Sequence, residues 1–179
     1  MSFASENQGD FLMLAIERLA RAVRQAVTGR GSGQTEEHED ELEDGQLDRE
    51  CDLEFAREFG SMHVHLCKVD AMSVVGLLKP VSRLRAYATL LGCKAVLAHR
   101  QGEAVETQAT RALDVLLHTI AREQELAEAP VHPTDLGLVV AVLKLADVNA
   151  LAPASAALLE RVASSLKQPA LQAGLGATS

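Results

Sequence analysis

The sequence predicts an all-α protein built from antiparallel helical hairpins, and three observations lead to this prediction. Apolar residues make up 47% of the 179 residues but aromatic residues only 3%, so Ala, Leu and Val carry most of the hydrophobicity. Ala and Leu favour helices, whereas aromatic and β-branched residues favour strands. Apolar residues also recur at helical spacing in several segments, while an alternating pattern occurs in only one. Short turns separate these segments, which is typical of helical hairpin arrays.

An N-terminal amphipathic helix is predicted over residues 10–28, after a polar stretch of residues 1–9 that we expect to be disordered. Asp10 is a suitable N-cap for this helix, and Gly29 is suited to the position just after its end. Two interpretations of its apolar face stay open. The face either joins two copies of the chain in a homo-oligomer, or it packs on the core of its own chain. The residues of this face are Leu12, Ile16, Leu19, Val23 and Ala26.

An acidic segment follows the first helix. Residues 36–58 contain twelve carboxylates and only two arginines. Residues 29–46 begin with GRGSG and have almost no apolar face, so we predict a flexible acidic linker there. Helical spacing of apolar residues resumes after the linker at Leu47, Cys51, Phe55 and Phe59.

A helical domain is predicted over residues 47–167, and the Gly- and Ala-rich tail of residues 168–179 is expected to be disordered. Residues 61–69 alternate in polarity, but we expect a helix or turn because no second strand exists to pair with them. The next short helix should be capped by Asp70 and should end before Pro80. Longer helices are predicted over residues 81–100, 103–125, 135–147 and 154–167, and the spacing of their apolar residues predicts which side each helix buries. In chain order, these buried stripes are Leu84, Tyr87, Ala88, Leu91, Ala95 and Ala98; Val105, Ala109, Ala112, Leu113, Leu116 and Ile120; Leu136, Val139, Val140 and Leu143; and Ala157, Leu158 and Val162.

The first long helix pair contains small residues and a turn in a characteristic order. They are Leu91 and Gly92 in the first helix, Gly102 and Glu103 in the turn, and Ala112 and Leu113 in the second helix. In this order they resemble a tetratricopeptide-type hairpin. The wider layout is similar to a group of uncharacterised bacterial all-helical proteins with a degenerate tetratricopeptide-like (TPR-like) body. This resemblance implies the fold, and it transfers no activity.

Charge and motif content exclude several classes of function. The net charge of −8 argues against binding nucleic acid through its phosphates. The long apolar stretches contain charged residues or are too short to cross a bilayer, so we expect no membrane association. The sequence contains no P-loop, GxGxxG, HExxH or GxSxG motif, so we expect neither an enzyme nor a cofactor. Three cysteines without CxxC spacing indicate reduced thiols and a cytoplasmic protein.

One short stretch contains residue types that could bind a metal: His63, His65 and Cys67. On a strand all three would share a face, whereas on a helix only His63 and Cys67, four residues apart, would do so. Zinc takes three or four such ligands, usually from two separated segments, and the sequence does not indicate the second segment. We therefore predict no metal site. A small-molecule- or metal-binding helical bundle that uses these three residues is the alternative function.

Local charge is reversed in residues 79–100, which contain five basic residues and no acidic residue. This pattern indicates a partner-binding face for an acidic peptide. A solvated helix face that balances the acidic segment is the other interpretation. The five basic residues are Lys79, Arg83, Arg85, Lys94 and Arg100.

The sequence as a whole predicts a protein–protein interaction module, either an adaptor or a regulatory scaffold, without catalytic activity. The expected partner is another protein that binds through an acidic segment. We also expect the chain's own acidic residues 36–58 to lie across the basic face when no partner is bound. The two charge blocks are close in the chain, so their effective concentration is high, on the order of millimolar for a flexible connection.

Overall fold

The computed structural model describes residues 44–127, residues 133–172 and Ala20. These residues form seven α-helices and contain no strand, which confirms the all-α prediction. A 3₁₀ turn, Val148–Ala150, connects the last two helices. The helices are α1 (Asp44–Glu58), α2 (Met62–Leu66), α3 (Ala71–Leu77), α4 (Val81–Arg100), α5 (Glu106–Ala127), α6 (Pro133–Leu143) and α7 (Pro153–Gln172).

Helix α4 is the centre of the described structure, because thirteen of its 20 residues are buried. A helix that packs through a single face would bury far fewer. Helix α5 follows α4 after a tight turn in which Gly102 has a φ of +84°. This left-handed conformation favours glycine, and the Gly102 amide donates a hydrogen bond of 2.9 Å to the His99 carbonyl. The predicted chain reversal at Gly102 is therefore confirmed.

The other helices surround this central pair. Helix α1 packs along α4, and α6 packs against both α4 and α5. Helices α3 and α7 contact α5. The described helices thus form a bundle around one buried helix, and the finer TPR-like arrangement of the hairpins stays a prediction. None of these helices is long and apolar enough to span a membrane.

Helix α6 approaches α4 closely at Gly92. A Cβ atom at this position would lie 2.9 Å from Leu138 Cδ2 and 3.3 Å from Leu116 Cδ1. Contacts of that length would push the neighbouring side chains away, so glycine allows the two helices to pack at this point. The small residue that the sequence places in the middle of α4 therefore marks a helix–helix contact.

The short helices α2 and α3 agree with the sequence prediction. Residues 61–69 contain helix α2 (Met62–Leu66) and not a strand. The Asp70 side chain caps α3 by accepting a hydrogen bond of 2.9 Å from the Ser73 amide. Helix α3 ends at Leu77, before Pro80, as expected.

Several predicted boundaries differ from the structure. The helices predicted over residues 103–125 and 135–147 span Glu106–Ala127 and Pro133–Leu143. Helix α1 begins at Asp44, so residues 44–46 of the predicted linker are helical. Helix α7 continues to Gln172, so residues 168–172 of the predicted tail are helical as well. Pro169 removes one backbone hydrogen bond but does not end this helix. Carboxylates near a helix N-terminus are favourable, which suits Asp44 to the first turn of α1.

The remaining predictions for the chain ends lie outside the described residues. They concern residues 1–9, the linker over 29–43 and the tail over 173–179. In the predicted helix 10–28 the structure describes Ala20 alone, which is helical and fully buried in the hydrophobic core. Ala20 is not one of the five residues of the predicted apolar face, so both interpretations of that face stay open.

Candidate functional site

The basic face predicted on α4 is in contact with the acidic helix α1. Lys94 Nζ lies 2.6 Å from Asp48 Oδ1 and 2.8 Å from Asp52 Oδ1. Near the end of α4, Arg100 Nε lies 2.7 Å from Asp44 Oδ2. These three carboxylates come from successive turns of α1, so the two helices pair along most of their shared length.

Arg83 holds the other end of α1. Its terminal nitrogen donates a hydrogen bond of 2.8 Å to the Glu58 carbonyl, at the C-terminus of that helix. Its guanidinium also lies 5.6 Å from the ring centre of Phe59. A cation over an aromatic ring and a cation at the C-terminal end of a helix are both favourable. Arg83, Lys94 and Arg100 thus contact α1 at three points.

The other two predicted partner-binding residues do not contact α1 in the same way. Arg85 Nε lies 3.9 Å from Glu123 Oε1 on α5. Lys79 is exposed just before α4 and makes no ion pair with any residue that the structure describes. The five predicted residues therefore do not form one open basic surface.

Burial and charge act together on Lys94. Burial alone would lower its pKa, but the hydrogen bonds to Asp48 and Asp52 outweigh that effect, so the pKa is raised. Next to these ion pairs, α1 buries Leu47 and Cys51 in the core. Helix α1 is thus held on α4 by apolar packing as well as by charge, and Lys94 is not part of a solvated face.

His63 and Cys67 meet on one face of the α2 region, as their spacing of four residues on a helix predicts. Cys67 Sγ lies 3.5 Å from His63 Nε2. The hydroxyl of Tyr87, from α4, lies 3.9 Å from the same sulfur. His65 is exposed and is not part of this cluster. Over residues 44–127 and 133–172 there is no group of three or more His, Cys, Asp or Glu side chains that could hold a metal.

Aromatic rings surround His63. Its ring centre lies 4.6 Å from that of Phe55 and 5.8 Å from that of Tyr87. Burial lowers the pKa of His63, and the nearby Asp52 carboxylate opposes this only in part. Burial also raises the pKa of Tyr87, and Cys67 adds to this effect. Near neutral pH the cluster therefore contains a neutral imidazole and a protonated phenol.

An open cleft of about 330 Å³ lies beside His63, between α1, α4 and the start of α5. Four of its eight lining residues are polar or charged, so its wall is more polar than is usual for a small-molecule site. The lining residues are Asp52, Phe55, Ala56, Gly60, His63, Leu91, Lys94 and Gln108.

Exposed apolar side chains are concentrated on α2 and α3. Met72 and Leu77 are 64% and 62% exposed, and Met62 and Val64 are exposed as well. We call residues 62–79 the α2–α3 surface; it also contains the exposed side chains of Lys68 and Lys79. Its single carboxylate, Asp70, accepts hydrogen bonds from Ser73 in its own helix.

A largely buried polar cluster between α5 and α7 was not predicted from the sequence. His118 Nε2 lies 3.2 Å from Ser155 Oγ, and the Ser155 hydroxyl donates a hydrogen bond to Asp114. These residue types occur in serine hydrolases, but there the carboxylate orients the other ring nitrogen and the serine is accessible. Ser155 is fully buried. The cluster therefore pairs buried polar groups and joins α7 to α5.

Comparison of the chain with protein-family models, with curated proteins and with solved structures found no match. The resemblance to TPR-like bacterial proteins therefore stays a prediction. No residue role can be transferred from a relative, so the proposals below depend on the chain's own geometry.

Proposed function

We propose that this protein is a protein–protein interaction module without catalytic activity, and that it binds its partner through the α2–α3 surface. The observation that carries the proposal is the combination of exposed apolar and basic side chains there. Met62, Val64, Met72 and Leu77 are four of the eight large exposed apolar side chains among the described residues. Four exposed apolar side chains within one short stretch of the chain favour a binding surface in this region over singly scattered exposed residues.

Charge indicates the kind of partner. Asp70 is the only carboxylate between residues 59 and 102, in a protein of net charge −8. Lys68 and Lys79 are exposed within the same short stretch of sequence as Met72 and Leu77. Basic groups beside apolar ones fit an acidic, amphipathic segment of another protein, because complementary charge steers association and fixes register.

The basic face of α4 is a weaker candidate for the same partner. A partner there would have to displace α1, which would expose Leu47 and Phe55. Each of these side chains contributes roughly 1.5–3 kcal/mol through burial. Among the predicted partner-binding residues, Lys79 is the one that the proposal retains.

An adaptor or scaffold role in a bacterial cytoplasm is part of the proposal. The free thiols of Cys51, Cys67 and Cys93 support only the cytoplasmic location, because free thiols are usual in a reducing compartment. The metal-binding alternative has less support, because His63 and Cys67 supply two ligands where zinc needs three or four.

Site-specific photo-crosslinking tests the proposed surface. A photoreactive amino acid replaces Met72 in the full-length protein, which is produced in its native cells and irradiated. The matched control replaces Leu126, which is 57% exposed on α5 and lies outside the α2–α3 surface. We expect one adduct of discrete mass from position 72, none from position 126, and less adduct when Lys79→Glu is added. Equal labelling at both positions, or no adduct at position 72, would contradict the proposal.

A further inference from the structure

The structure pairs an exposed thiol with a base. Cys67 Sγ lies 3.5 Å from Nε2 and 3.7 Å from Nδ1 of His63, and Cys67 is exposed to solvent. A thiol this close to an imidazole can pass its proton to that base and so act as a nucleophile. We propose that Cys67 is a nucleophilic thiol, with His63 as its base, that undergoes exchange with low-molecular-weight disulfides. This inference is independent of the proposed protein-binding surface.

The surroundings of His63 hold its ring next to the sulfur. Phe55 from α1 and Tyr87 from α4 pack against the imidazole, at ring separations of 4.6 Å and 5.8 Å. Because burial lowers the pKa of His63, the imidazole is neutral near pH 7 and can accept the thiol proton. A protonated imidazole could not accept it.

Tyr87 supports the sulfur from the side of α4. Its hydroxyl lies 3.9 Å from Cys67 Sγ, and its raised pKa keeps it protonated. The hydroxyl can therefore donate a weak hydrogen bond to the thiolate once it forms. The cleft of about 330 Å³ lies against the same imidazole and leaves room for the polar part of a small disulfide.

The proposed step exchanges one disulfide bond for another. The thiol proton of Cys67 moves to His63 Nε2, and the sulfur attacks one sulfur of the incoming disulfide. The S–S bond of that disulfide breaks as a new S–S bond to Cys67 forms. The leaving thiolate takes the proton from His63, so the products are a mixed disulfide on Cys67 and one free small thiol.

The other two cysteines provide an internal control. Cys51 and Cys93 are fully buried between α1 and α4. A hydrogen bond with Cys93 and burial both raise the pKa of the Cys51 thiol. Burial shields both sulfurs from the reagent, so neither residue should react while the protein is folded.

Thiol titration with 5,5′-dithiobis(2-nitrobenzoic acid) tests the inference. In the folded full-length protein we expect one fast-reacting thiol, which Cys67→Ser removes. His63→Gln should slow the reaction about tenfold at pH 7, because general-base assistance is lost. The difference should disappear above about pH 9, where a thiol ionises without help. The matched control is His65→Gln, on the same helix but outside the cluster, which should react like the wild type.

The pH profile of the wild type provides a measurement that needs no variant. Charged groups near the pair are Asp52 from α1, which acts on His63, Lys94 from α4, which lines the same cleft, and Arg111 from α5, which acts on Tyr87. Because the imidazole must be neutral to accept the thiol proton, the rate should rise through the lowered pKa of His63, at a pH below about 6.5, and then level off. A rate that follows an ordinary thiol near about pH 8.5, or equal rates for His63→Gln and His65→Gln at pH 7, would overturn the inference.

A second probe distinguishes chemistry from non-specific labelling. The wild type is incubated with oxidised glutathione, and its intact mass is measured before and after reduction. We expect one glutathione adduct on Cys67 that reduction removes. Adducts on Cys51 or Cys93 in the folded protein, or no adduct at all, would contradict the proposed exchange.

Discussion

The guanidinium of Arg111 joins α5 to the connection between α2 and α3. One of its nitrogens donates hydrogen bonds to the carbonyls of Leu66, at 2.9 Å, and Val69. Leu66 is the last residue of α2, and Val69 follows shortly after it, so helical amides do not pair with these carbonyls. Removing the donor would leave part-buried acceptors unpaired, which costs about 1–3 kcal/mol.

We therefore predict that Arg111→Ala lowers the free energy of unfolding by about 1–3 kcal/mol, measured by urea denaturation. Arg111→Lys should recover only part of the loss, because lysine replaces the planar, weakly hydrated guanidinium by a compact, strongly hydrated ammonium that is costlier to bury. Equal stability of Arg111→Ala and wild type would contradict the bridging role.

Sequence spacing could predict contacts within one helix but not those between distant segments. The four-residue interval between His63 and Cys67 was sufficient to place them on one face. The proximity of Tyr87 to this pair was not predictable, and neither was the His118–Ser155 contact, whose partners are 37 residues apart. Such contacts depend on how the helices pack, which periodicity does not specify.

At the scale of helices, the stripes predicted for α4 and α5 were right. Every residue of both stripes is buried, including Leu91 at 8% exposure and Leu113 at 0%. The predicted stripe underestimated how much of α4 is buried. Leu90 and Leu97, which lie outside the stripe, are also buried under neighbouring helices. Helical spacing identifies an apolar face, but it does not tell how many partners will cover the helix.

We predict that Leu113→Ala lowers the free energy of unfolding by about 3–5 kcal/mol and Leu91→Ala by about 2–3 kcal/mol. The difference follows from position: Leu113 is fully enclosed, whereas Leu91 lines the open cleft. Leu53→Ala is the control, because Leu53 is 68% exposed and should change stability little. Urea denaturation measures all three. An unchanged stability for Leu113→Ala would mean that the described core is wrong.

For the last two helices, α6 and α7, the apolar pattern was not sufficient to predict which side is buried. Val140 was expected to point inward but is 42% exposed, and Ala157 was expected to be buried but is exposed. Residues 136–143 of α6 are almost all apolar, so periodicity cannot distinguish its buried side. The Ala-rich start of α7 has the same ambiguity.

For the whole molecule, the distribution of charge explains why the predicted basic face is closed. The predicted contact between the two charge blocks is present for residues 44–58, as the ion pairs of Lys94 and Arg100 show. The sequence suggested a cover held by weak, exposed ion pairs. The structure adds the burial of Leu47 and Phe55, so α1 is part of the core. The proposed partner surface therefore moves from α4 to α2 and α3.

Charge reversal at Lys94, with stability measured by urea denaturation, tests directly whether α1 lies on the basic face of α4. Lys94→Glu would place a third carboxylate beside Asp48 and Asp52, so we predict a loss of about 2 kcal/mol or more. Adding Asp48→Lys and Asp52→Lys should restore much of it, because the pairs re-form with reversed sign. Lys79→Glu is the control and should change stability by less than about 0.5 kcal/mol. If Lys94→Glu is no more destabilising than Lys79→Glu, or if the reversed aspartates give no recovery, helix α1 does not lie on the basic face of α4.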